Sequence, residues 1–497
     1  MRIRRNLLAE PFYLVSCQSD GLLVPLHSHE DKKSGPKVTV VIGPNGSGKS
    51  TAIAAVVEEL AFMHSLLYPD QRAKHLRLAK TGTITYRHSN NLYRVVRMGT
   101  KIEAFINGKE ADPTKVPFPS RALAVAHLPT DKFRYSDNEK KDFYRYLGLR
   151  QATNLVTTGA LEAKVVADIL AGQQSETYPL ALNEWLAILQ ISDEFEIELR
   201  GLPFEVFHIQ DVDDLDRRIR RSSSKNAAEH LKFHADEGSA PLTQRDIAGF
   251  FRRLGRLCEG ADRDNFPPLK SKASYILPLS ALRDDPLITR ITWEAGIDLM
   301  RKMRLADEIR LMVRKNGRRT PFADLSSGER QILGTFTRLF RHAENGSVVV
   351  IDEPEISLHP SWQIRYIPTL LKALRHLPSA HVVIATHSHF LVSDVGDAAS
   401  LVVAETDQTG RWHFTNFEGD VFGRTPENIL YRAFGIGSVT NFYVEHDLTQ
   451  ALMMLANPAK LDREKLHAIK HRLDKVKAPD NPAFDQILNT INNALIG

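Results

Sequence analysis

The sequence is poor in cysteine, in long apolar runs and in any large excess of one charge. Its 497 residues include only Cys17 and Cys258, which lie far apart along the chain. Such a pair supplies neither a disulfide framework nor the spacing of a zinc site, and it fits a reducing cytoplasm best. No stretch approaches the roughly 18 consecutive apolar residues of a membrane-spanning helix, so no membrane association is expected.

The composition indicates a globular protein with more than one unit. Hydrophobic residues make up 42% of the chain and charged residues 25%, the balance of a soluble protein. At roughly 100–200 residues per domain, the length indicates two or three units. The net charge of +5 permits contact with nucleic acid, but it is a small surplus for this length. The basic N-terminal segment is interrupted by Glu10 and Pro11 and is expected to be mature sequence.

The strongest motif follows a valine-rich run at 37–42, which predicts a buried strand. The next segment matches the pattern G-x-x-x-x-G-K-[ST] and leads into a predicted helix. It consists of Gly43, Pro44, Asn45, Gly46, Ser47, Gly48, Lys49, Ser50 and Thr51. In such a P-loop, backbone N–H groups surround the phosphates, Lys49 pairs with the β- and γ-phosphates, and Ser50 coordinates Mg²⁺. The sequence therefore predicts a site for ATP and Mg²⁺.

A second motif is an apolar strand, 348–351, that ends in Asp352 and Glu353. Because neighbouring residues of a strand point to opposite sides, the two carboxylates can take different roles. We expect Asp352 to hold Mg²⁺, through water, and Glu353 to polarise the water that attacks the γ-phosphate. Alone, two such carboxylates could equally be surface charges, and the P-loop favours the catalytic interpretation.

A third motif begins a predicted helix, and the strand 348–351 follows directly after that helix. A Ser-Ser-Gly helix cap occurs in proteins of many kinds, but here it resembles the signature sequence of ABC ATPases, with two replacements. Ser327 stands where the family has glycine, and Glu329 where it has glutamine. The resemblance implies that the following residues contact the γ-phosphate of an ATP held by the other subunit: Ser326, Ser327, Gly328 and Glu329.

Two further segments agree with this resemblance. Ser357, Leu358 and His359 stand at the position of the family's D-loop, which crosses the dimer interface. His387 ends the next predicted strand, where the family places its switch histidine near the γ-phosphate. Since a lone histidine is more often structural, the catalytic role of His387, beside Glu353, depends on the other motifs.

The order of the predicted elements indicates an α/β, ABC-type P-loop ATPase head. Its parts are a mostly parallel sheet, an antiparallel β meander predicted from alternation over 83–110, and a helical insertion. Glycine and proline breakers favour a compact helical subdomain over a continuous coiled coil in that insertion. The expected division is 1–145 for the N-terminal part of the head, 146–305 for the insertion, 306–440 for the C-terminal part of the head and 441–497 for a helical tail.

The split core resembles the SMC-like and OLD-like branch of ABC ATPases over about residues 1–150 and 300–440. Finer similarity is to PtuA, the ATPase component of Septu and retron antiphage systems, and it rests on segments 127–133, 428–435 and 441–445. This resemblance implies a homodimer or higher homo-oligomer that controls an HNH-type nuclease partner. No glutamine lies between Ala122 and Phe133, where the family has its Q-loop, so hydrolysis is expected to be slow.

These observations predict an ATP-hydrolysing regulatory subunit of bacterial antiphage defence that closes as an ATP-sandwich dimer. In the TOPRIM nuclease domain of OLD proteins, a glutamate and a later Asp-x-Asp bind metal. No Asp-x-Asp follows Glu445 here, so this chain is not expected to cut nucleic acid itself. The alternative is an SMC-like DNA-repair or chromosome-maintenance ATPase that binds DNA directly. The basic cluster at 217–225 favours a solvated helix end that runs into a flexible loop, and a contact with a phosphate backbone is the alternative. The missing Q-loop glutamine and the long insertion disfavour a transporter subunit.

Overall fold

The fold was analysed in a computed structural model. It describes residues 10–27, 35–68, 80–136, 143–148, 150, 158–172, 175–203, 206–207, 244–261, 272–284, 291, 293–302, 305–392, 399–417, 442–456, 462–474 and 482–496. The basic cluster at 217–225 and the segment 428–435 lie outside these residues, so their predicted roles stay predictions. The chain divides into two compact units, Met1–Gly423 and Arg424–Gly497, and each is described by itself.

The first unit contains both strands and helices within its described residues. The strands are β1 (Phe12–Ser19), β2 (Leu22–Pro25), β3 (Lys37–Ile42), β4 (Thr81–His88), β5 (Asn91–Met98), β6 (Lys101–Ile106), β7 (Lys109–Ala111), β8 (Arg121–Ala126), β9 (Tyr144–Tyr146), β10 (Glu196–Pro203), β11 (Lys272–Pro278), β12 (Glu308–Lys315), β13 (Arg318–Pro321), β14 (Ser347–Asp352), β15 (His381–Thr386), β16 (Ala399–Thr406) and β17 (Trp412–Asn416). The helices are α1 (Lys49–Leu67), α2 (Thr158–Gly172), α3 (Thr177–Leu189), α4 (Gln244–Ala261), α5 (Leu279–Asp284), α6 (Trp293–Lys302), α7 (Ser327–His342), α8 (Pro360–Ala373) and α9 (His389–Val392).

A seven-stranded sheet forms the centre of this unit, in the order β17-β16-β3-β15-β14-β8-β9. All neighbours are parallel except the β16–β17 hairpin. Strands β3, β14 and β15 are buried along their whole length. Burial on both faces explains their near-continuous valine and isoleucine runs. Since β3, β14 and β15 are parallel neighbours, the P-loop, Asp352 and His387 meet at one edge of the sheet.

A six-stranded antiparallel sheet, in the order β2-β1-β4-β5-β6-β7, contains the predicted meander. Helix α1 packs between this sheet and the central one, and the bidentate pair of Glu59 with Arg97 links α1 to β5. By length and composition, α1 is the one helix among the described residues that could cross a membrane. Of its apolar window, 67% is buried inside the protein, as in the core helix of a globular fold.

The insertion differs from the helical subdomain that the sequence predicts. Strands β10 and β11 lie within it and form a four-stranded sheet, β11-β10-β12-β13, with two strands of the expected C-terminal head. Alternation in β10 buries Ile197 and Leu199, and Leu202 is buried beyond a register shift in the strand. We missed these strands because their partners lie far along the chain, so no local turn marks the pairing.

The signature helix α7 packs against α2 and α3, and α3 also packs against α8. The Trp185 indole stacks on the Phe336 ring at a centroid distance of 3.7 Å. Both side chains are fully buried, and aromatic burial of this size is a major contribution to a helix contact. Helix α7 is therefore anchored along its length, which leaves its first turn in a defined position.

The second unit contains α10 (Phe442–Ala456), α11 (Arg463–Asp474) and α12 (Pro482–Ile496). A small apolar cluster joins these helices, and it includes Ala451, Leu466, Ile469 and Leu488. Asp447 on α10 accepts two hydrogen bonds from the guanidinium of Arg472 on α11, at 2.7 and 2.8 Å. The three described helices thus have their own core.

Candidate nucleotide site

The P-loop turns sharply between β3 and α1. Gly43 has a φ of +155° and Gly48 a φ of +83°. A side chain at Gly43 would collide with the Ala404 carbonyl oxygen on β16, and one at Gly48 would collide with the Trp412 ring on β17. Both the backbone conformation and the surrounding space therefore require glycine at these two positions.

Trp412 is a P-loop contact that the sequence analysis missed. Its Nε1 donates a hydrogen bond to the Gly46 carbonyl oxygen at 3.0 Å, and its ring covers Gly48. Nothing in the sequence indicates that the β16–β17 hairpin reaches the P-loop. The contact follows from the position of β16 beside β3 in the central sheet.

Lys49 begins α1 and is only 4% exposed. Its Nζ donates to the carbonyl oxygens of Gly43 and Pro44, each at 3.0 Å, and lies 2.9 Å from Nε2 of His387. Burial lowers the pKa of Lys49, although nearby carboxylates, Glu353 first among them, act in the opposite direction. The ammonium is thus held between the loop and the switch histidine, where a γ-phosphate would be bound.

The remaining P-loop residues occupy the positions that the motif predicts. Ser47 donates to the Pro44 carbonyl oxygen at 2.9 Å, Asn45 lines the adjacent cavity, and Thr51 is half-buried in the first turn of α1.

Ser50 and Asp352 come together as a Mg²⁺ site would require. The Ser50 hydroxyl donates to Oδ1 of Asp352 at 2.9 Å, and burial raises the pKa of Asp352 to about 6. Mg²⁺ in P-loop proteins is held by few protein oxygens and is completed by phosphate and water oxygens. These two side chains fit that pattern, and no larger cluster of His, Cys, Asp or Glu suited to a metal occurs within the described residues. A bound Mg²⁺ would neutralise charge on the β- and γ-phosphates.

Glu353 and His387 meet, as the motif order predicts. Oε1 of Glu353 lies 3.2 Å from Nε2 of His387, and the Glu353 backbone has a φ of +51°. Burial alone would raise the pKa of Glu353, but hydrogen bonds from His387 and Glu355 lower it below its ordinary value. An ionised carboxylate at this place can accept a proton from an attacking water.

Glu355 is a second carboxyl group of this cluster, which the sequence analysis did not single out. Its Oε1 accepts the backbone N–H of His387 at 2.7 Å. Burial, then its hydrogen bond with Glu353, raises the pKa of Glu355 to about 8. At neutral pH the two neighbouring carboxyl groups therefore share one proton.

The raised pKa of Glu355 predicts a pH-dependent stability. Between its ordinary pKa of 4.5 and about 8, the folded state binds a proton that the unfolded state has lost, so stability decreases as the pH rises through this window. Glutamine cannot ionise and keeps the acceptor for the N–H of His387. In thermal unfolding without nucleotide, Glu355→Gln is expected to match the wild type near pH 5 and to unfold at a temperature several degrees higher near pH 9. Parallel curves for the two proteins from pH 5 to 9 would contradict this, and the exposed Glu110→Gln is the control.

A cavity of about 300 Å³ lies at this edge of the sheet. Its lining comes from the P-loop, the end of β14, the switch histidine and the loop after β8: Asn45, Ser50, Leu128, Thr130, Asp131, Lys132, Asp352, Glu353, Ile356 and His387. The loop after β8 takes the place of the Q-loop, without a glutamine. Asp131 is fixed by the guanidinium of Arg150 at 2.6 Å and by the Tyr146 hydroxyl at 2.6 Å. No signature residue lines this cavity.

The signature residues begin α7 in a capping box. The Ser326 hydroxyl accepts the N–H of Glu329, and the Glu329 carboxylate accepts the N–H of Ser326 at 3.0 Å. Ser326 and Ser327 are exposed, and Gly328 and Glu329 are buried. The first N–H groups of a helix have no intrahelical partner, so the helix start at the exposed Ser326 and Ser327 can bind an anion.

The D-loop lies directly against the signature. A side chain at Gly328 would collide with the Ser357 carbonyl oxygen, and Gln331 Nε2 donates to the Pro354 carbonyl oxygen at 3.1 Å. Leu358 is buried and His359 caps the N-terminus of α8. The structure thus brings the predicted residues together as two groups, one around Lys49 and one around Gly328.

Residues 187–393 match a protein-family model described as "AAA domain, putative AbiEii toxin, Type IV TA system". The chain is similar to AAA-type P-loop ATPases. The match spans less than half of the chain and includes the signature, Asp352, Glu353 and His387. The comparison with curated proteins gave no match. P-loop ATPases bind and hydrolyse ATP with Mg²⁺, the chemistry for which Lys49 and Ser50 are placed here.

Solved SMC heads are similar to this chain at a low level. The SMC head domain from Thermotoga maritima is 14% identical, with coverage of 82% of this chain and 98% of that chain and a TM-score of 0.31. The Smc head with an extended coiled coil bound to the C-terminal domain of ScpA, derived from Pyrococcus furiosus, is 12% identical, with coverage of 82% and 96% and a TM-score of 0.31. Sequence identities and TM-scores this low say nothing further about the fold or the function of the chain.

Proposed function

We propose that this chain is an ATP-hydrolysing regulatory subunit that closes as a head-to-tail dimer around two ATP molecules. One observation carries the proposal: the cavity lined by Ser50, Asp352 and Glu353 includes none of the signature residues 326–329, which form a separate surface where Ser326 and Ser327 are exposed. A two-fold dimer would let each surface complete the cavity of the other subunit.

In this dimer the residues have separate tasks. Lys49 binds the β- and γ-phosphates, and Ser50 with Asp352 would hold Mg²⁺. Glu353 accepts the proton of the attacking water, with His387 beside it. Ser326, Ser327 and the first N–H groups of α7 contact the γ-phosphate in trans, and the D-loop residues 357–359 lie beside them. Hydrolysis removes the γ-phosphate that both subunits bind, and the dimer opens.

We further propose that the closed dimer controls an HNH-type nuclease in bacterial antiphage defence. Support comes from the resemblance of segments 127–133 and 441–445 to the ATPases of such systems, and from the family description, which names a type IV TA system. Direct DNA binding, as in a repair ATPase, is the alternative outcome.

ATP hydrolysis by the purified full-length chain tests the dimer. If the site is completed in trans, the rate per mole of protein should rise with protein concentration, and light scattering should show a doubled mass with ATP and Mg²⁺. A rate per mole that is independent of concentration, from a protein that stays monomeric, would contradict the sandwich. The same experiment with the protein encoded by the adjacent gene, and with a DNA duplex, separates the two biological roles. Mass gained only with DNA would favour the repair ATPase.

A further inference from the structure

Glu329 places a carboxylate where the signature of the resembling family has a neutral glutamine. It is the third residue of α7 and is 6% exposed. Burial would raise its pKa, but hydrogen bonds from Lys315 and Ser326 lower it, so the group is ionised at neutral pH. A negative charge at this helix start would repel the triphosphate that the proposed dimer brings to it. The sequence therefore needs a means of cancelling that charge.

Lys315 supplies the opposite charge. Its Nζ lies 2.5 Å from Oε1 of Glu329, and Oε2 of Glu329 accepts the backbone N–H of Ser326 at 3.0 Å. Both carboxylate oxygens are thus occupied, one by the cation and one by the cap. With the lysine in place, the pair is neutral, and the positive end of the helix dipole remains.

The position of Lys315 is fixed by a tight turn. It is the last residue of β12 and pairs with Arg318 across the turn formed by Asn316 and Gly317, whose φ values are +49° and +74°. Asn-Gly with both φ values positive is the preferred two-residue hairpin turn. The Asn316 N–H also donates to the Gln190 carbonyl oxygen at the end of α3, at 3.1 Å.

Two arginines near Lys315 have other partners. Arg319 pairs with Glu196 at 2.6 Å, and Arg314 pairs with Glu194 at 3.0 Å. Among the described residues, Lys315 forms the ion pair with Glu329. Its removal would leave that carboxylate without this partner.

We propose that Lys315 is a positioning residue of the composite ATP site: it cancels the charge of Glu329 and holds that carboxylate as the helix cap, so that α7 attracts the γ-phosphate bound by the partner subunit. The inference rests on the proposed head-to-tail dimer. It also connects the signature with the four-stranded sheet, because Lys315 lies on β12 and pairs with Glu329 of the signature.

The test compares four proteins that all carry Glu353→Gln, which keeps ATP intact: the parent, Lys315→Ala, Glu329→Gln and the double variant Lys315→Ala/Glu329→Gln. Dimerisation with ATP and Mg²⁺ is measured by sedimentation. Lys315→Ala is expected to weaken it by about tenfold or more, since a like charge then faces the phosphate. The double variant is expected to return to within about threefold of the parent, because a neutral amide needs no cation. Glu329→Gln alone is the reference for the double variant, because it removes the charge of Glu329 and keeps Lys315.

Binding of ATP to each monomer and thermal unfolding report whether each variant is folded. Lys101→Ala, which removes an exposed lysine paired with Glu103 in the six-stranded sheet, is the matched control. Lys315→Ala with unchanged dimerisation would overturn the inference and leave the dimer proposal standing. A double variant as defective as Lys315→Ala would also overturn it, since the lysine would then act by packing. A parent protein that stays monomeric with ATP would overturn both proposals.

Discussion

Replacing Glu353 with glutamine is expected to lower the rate of ATP hydrolysis by about 100-fold or more while ATP binding is retained. The Glu353 side chain is mostly buried and its Oε1 lies 3.2 Å from Nε2 of His387. Glutamine preserves the shape and the hydrogen-bonding capacity of this side chain, but it cannot take a proton from water. Because Lys49 and Ser50 are unchanged, ATP and Mg²⁺ still bind, and the closed dimer accumulates.

The rate of hydrolysis is measured as phosphate release, and the ATP affinity by calorimetry. Light scattering in the presence of ATP detects the closed dimer by its mass. Glu110→Gln, at an exposed position of β7, is the matched control and should behave like the wild type. If Glu353→Gln hydrolyses ATP at the wild-type rate, Glu353 is not the base. Glu355, the neighbouring carboxyl group, would then be the next residue to test.

Replacing Lys49 with alanine is expected to abolish ATP binding and hydrolysis. Lys49 is buried at the mouth of the P-loop, and its ammonium is held by two loop carbonyl oxygens and a ring nitrogen of His387. Alanine removes the cation that pairs with the phosphates, and the helix dipole alone is a weaker source of attraction. Calorimetry should then detect no ATP binding, with thermal unfolding as the test of folding. ATP affinity close to that of the wild type would contradict the assigned phosphate site.

A mixture of two inactive variants tests the head-to-tail arrangement. Ser327→Arg blocks the signature surface but keeps its own P-loop, whereas Lys49→Ala keeps the signature. Mixed dimers contain one complete site, so an equal mixture is expected to regain at most about a quarter of the wild-type activity. A mixture as inactive as its components would argue that each chain completes its own site.

Local signals were sufficient to place the candidate phosphate-site residues on their elements. The P-loop, the run that ends in Asp352 and the cap at Ser326 are each contained in a few consecutive residues, and each lies on the predicted element. The meeting of the P-loop with Asp352 could also be predicted, because the ends of parallel strands lie at one edge of a sheet.

Contacts between distant segments could not be predicted in this way. Glu355 accepts the N–H of His387, and Trp412 covers Gly48, only because β14, β15, β3 and β16 are neighbours in the sheet. The strand β10 was missed for the same reason, since its partners are distant and it lies among helices. Sequence patterns describe one element at a time, and these contacts depend on the order of several.

The contact between Gly328 and the carbonyl oxygen of Ser357 has a consequence for communication between subunits. With no side chain at Gly328, the start of α7 packs directly against the D-loop, so a displacement of one segment would press on the other. In a head-to-tail dimer these two segments face the nucleotide of the neighbour. A molecule that binds the four-stranded sheet of one subunit would therefore act, through Lys315, on the ATP held by the other subunit. A dimer with this molecule on one subunit would have two ATP sites of unequal affinity.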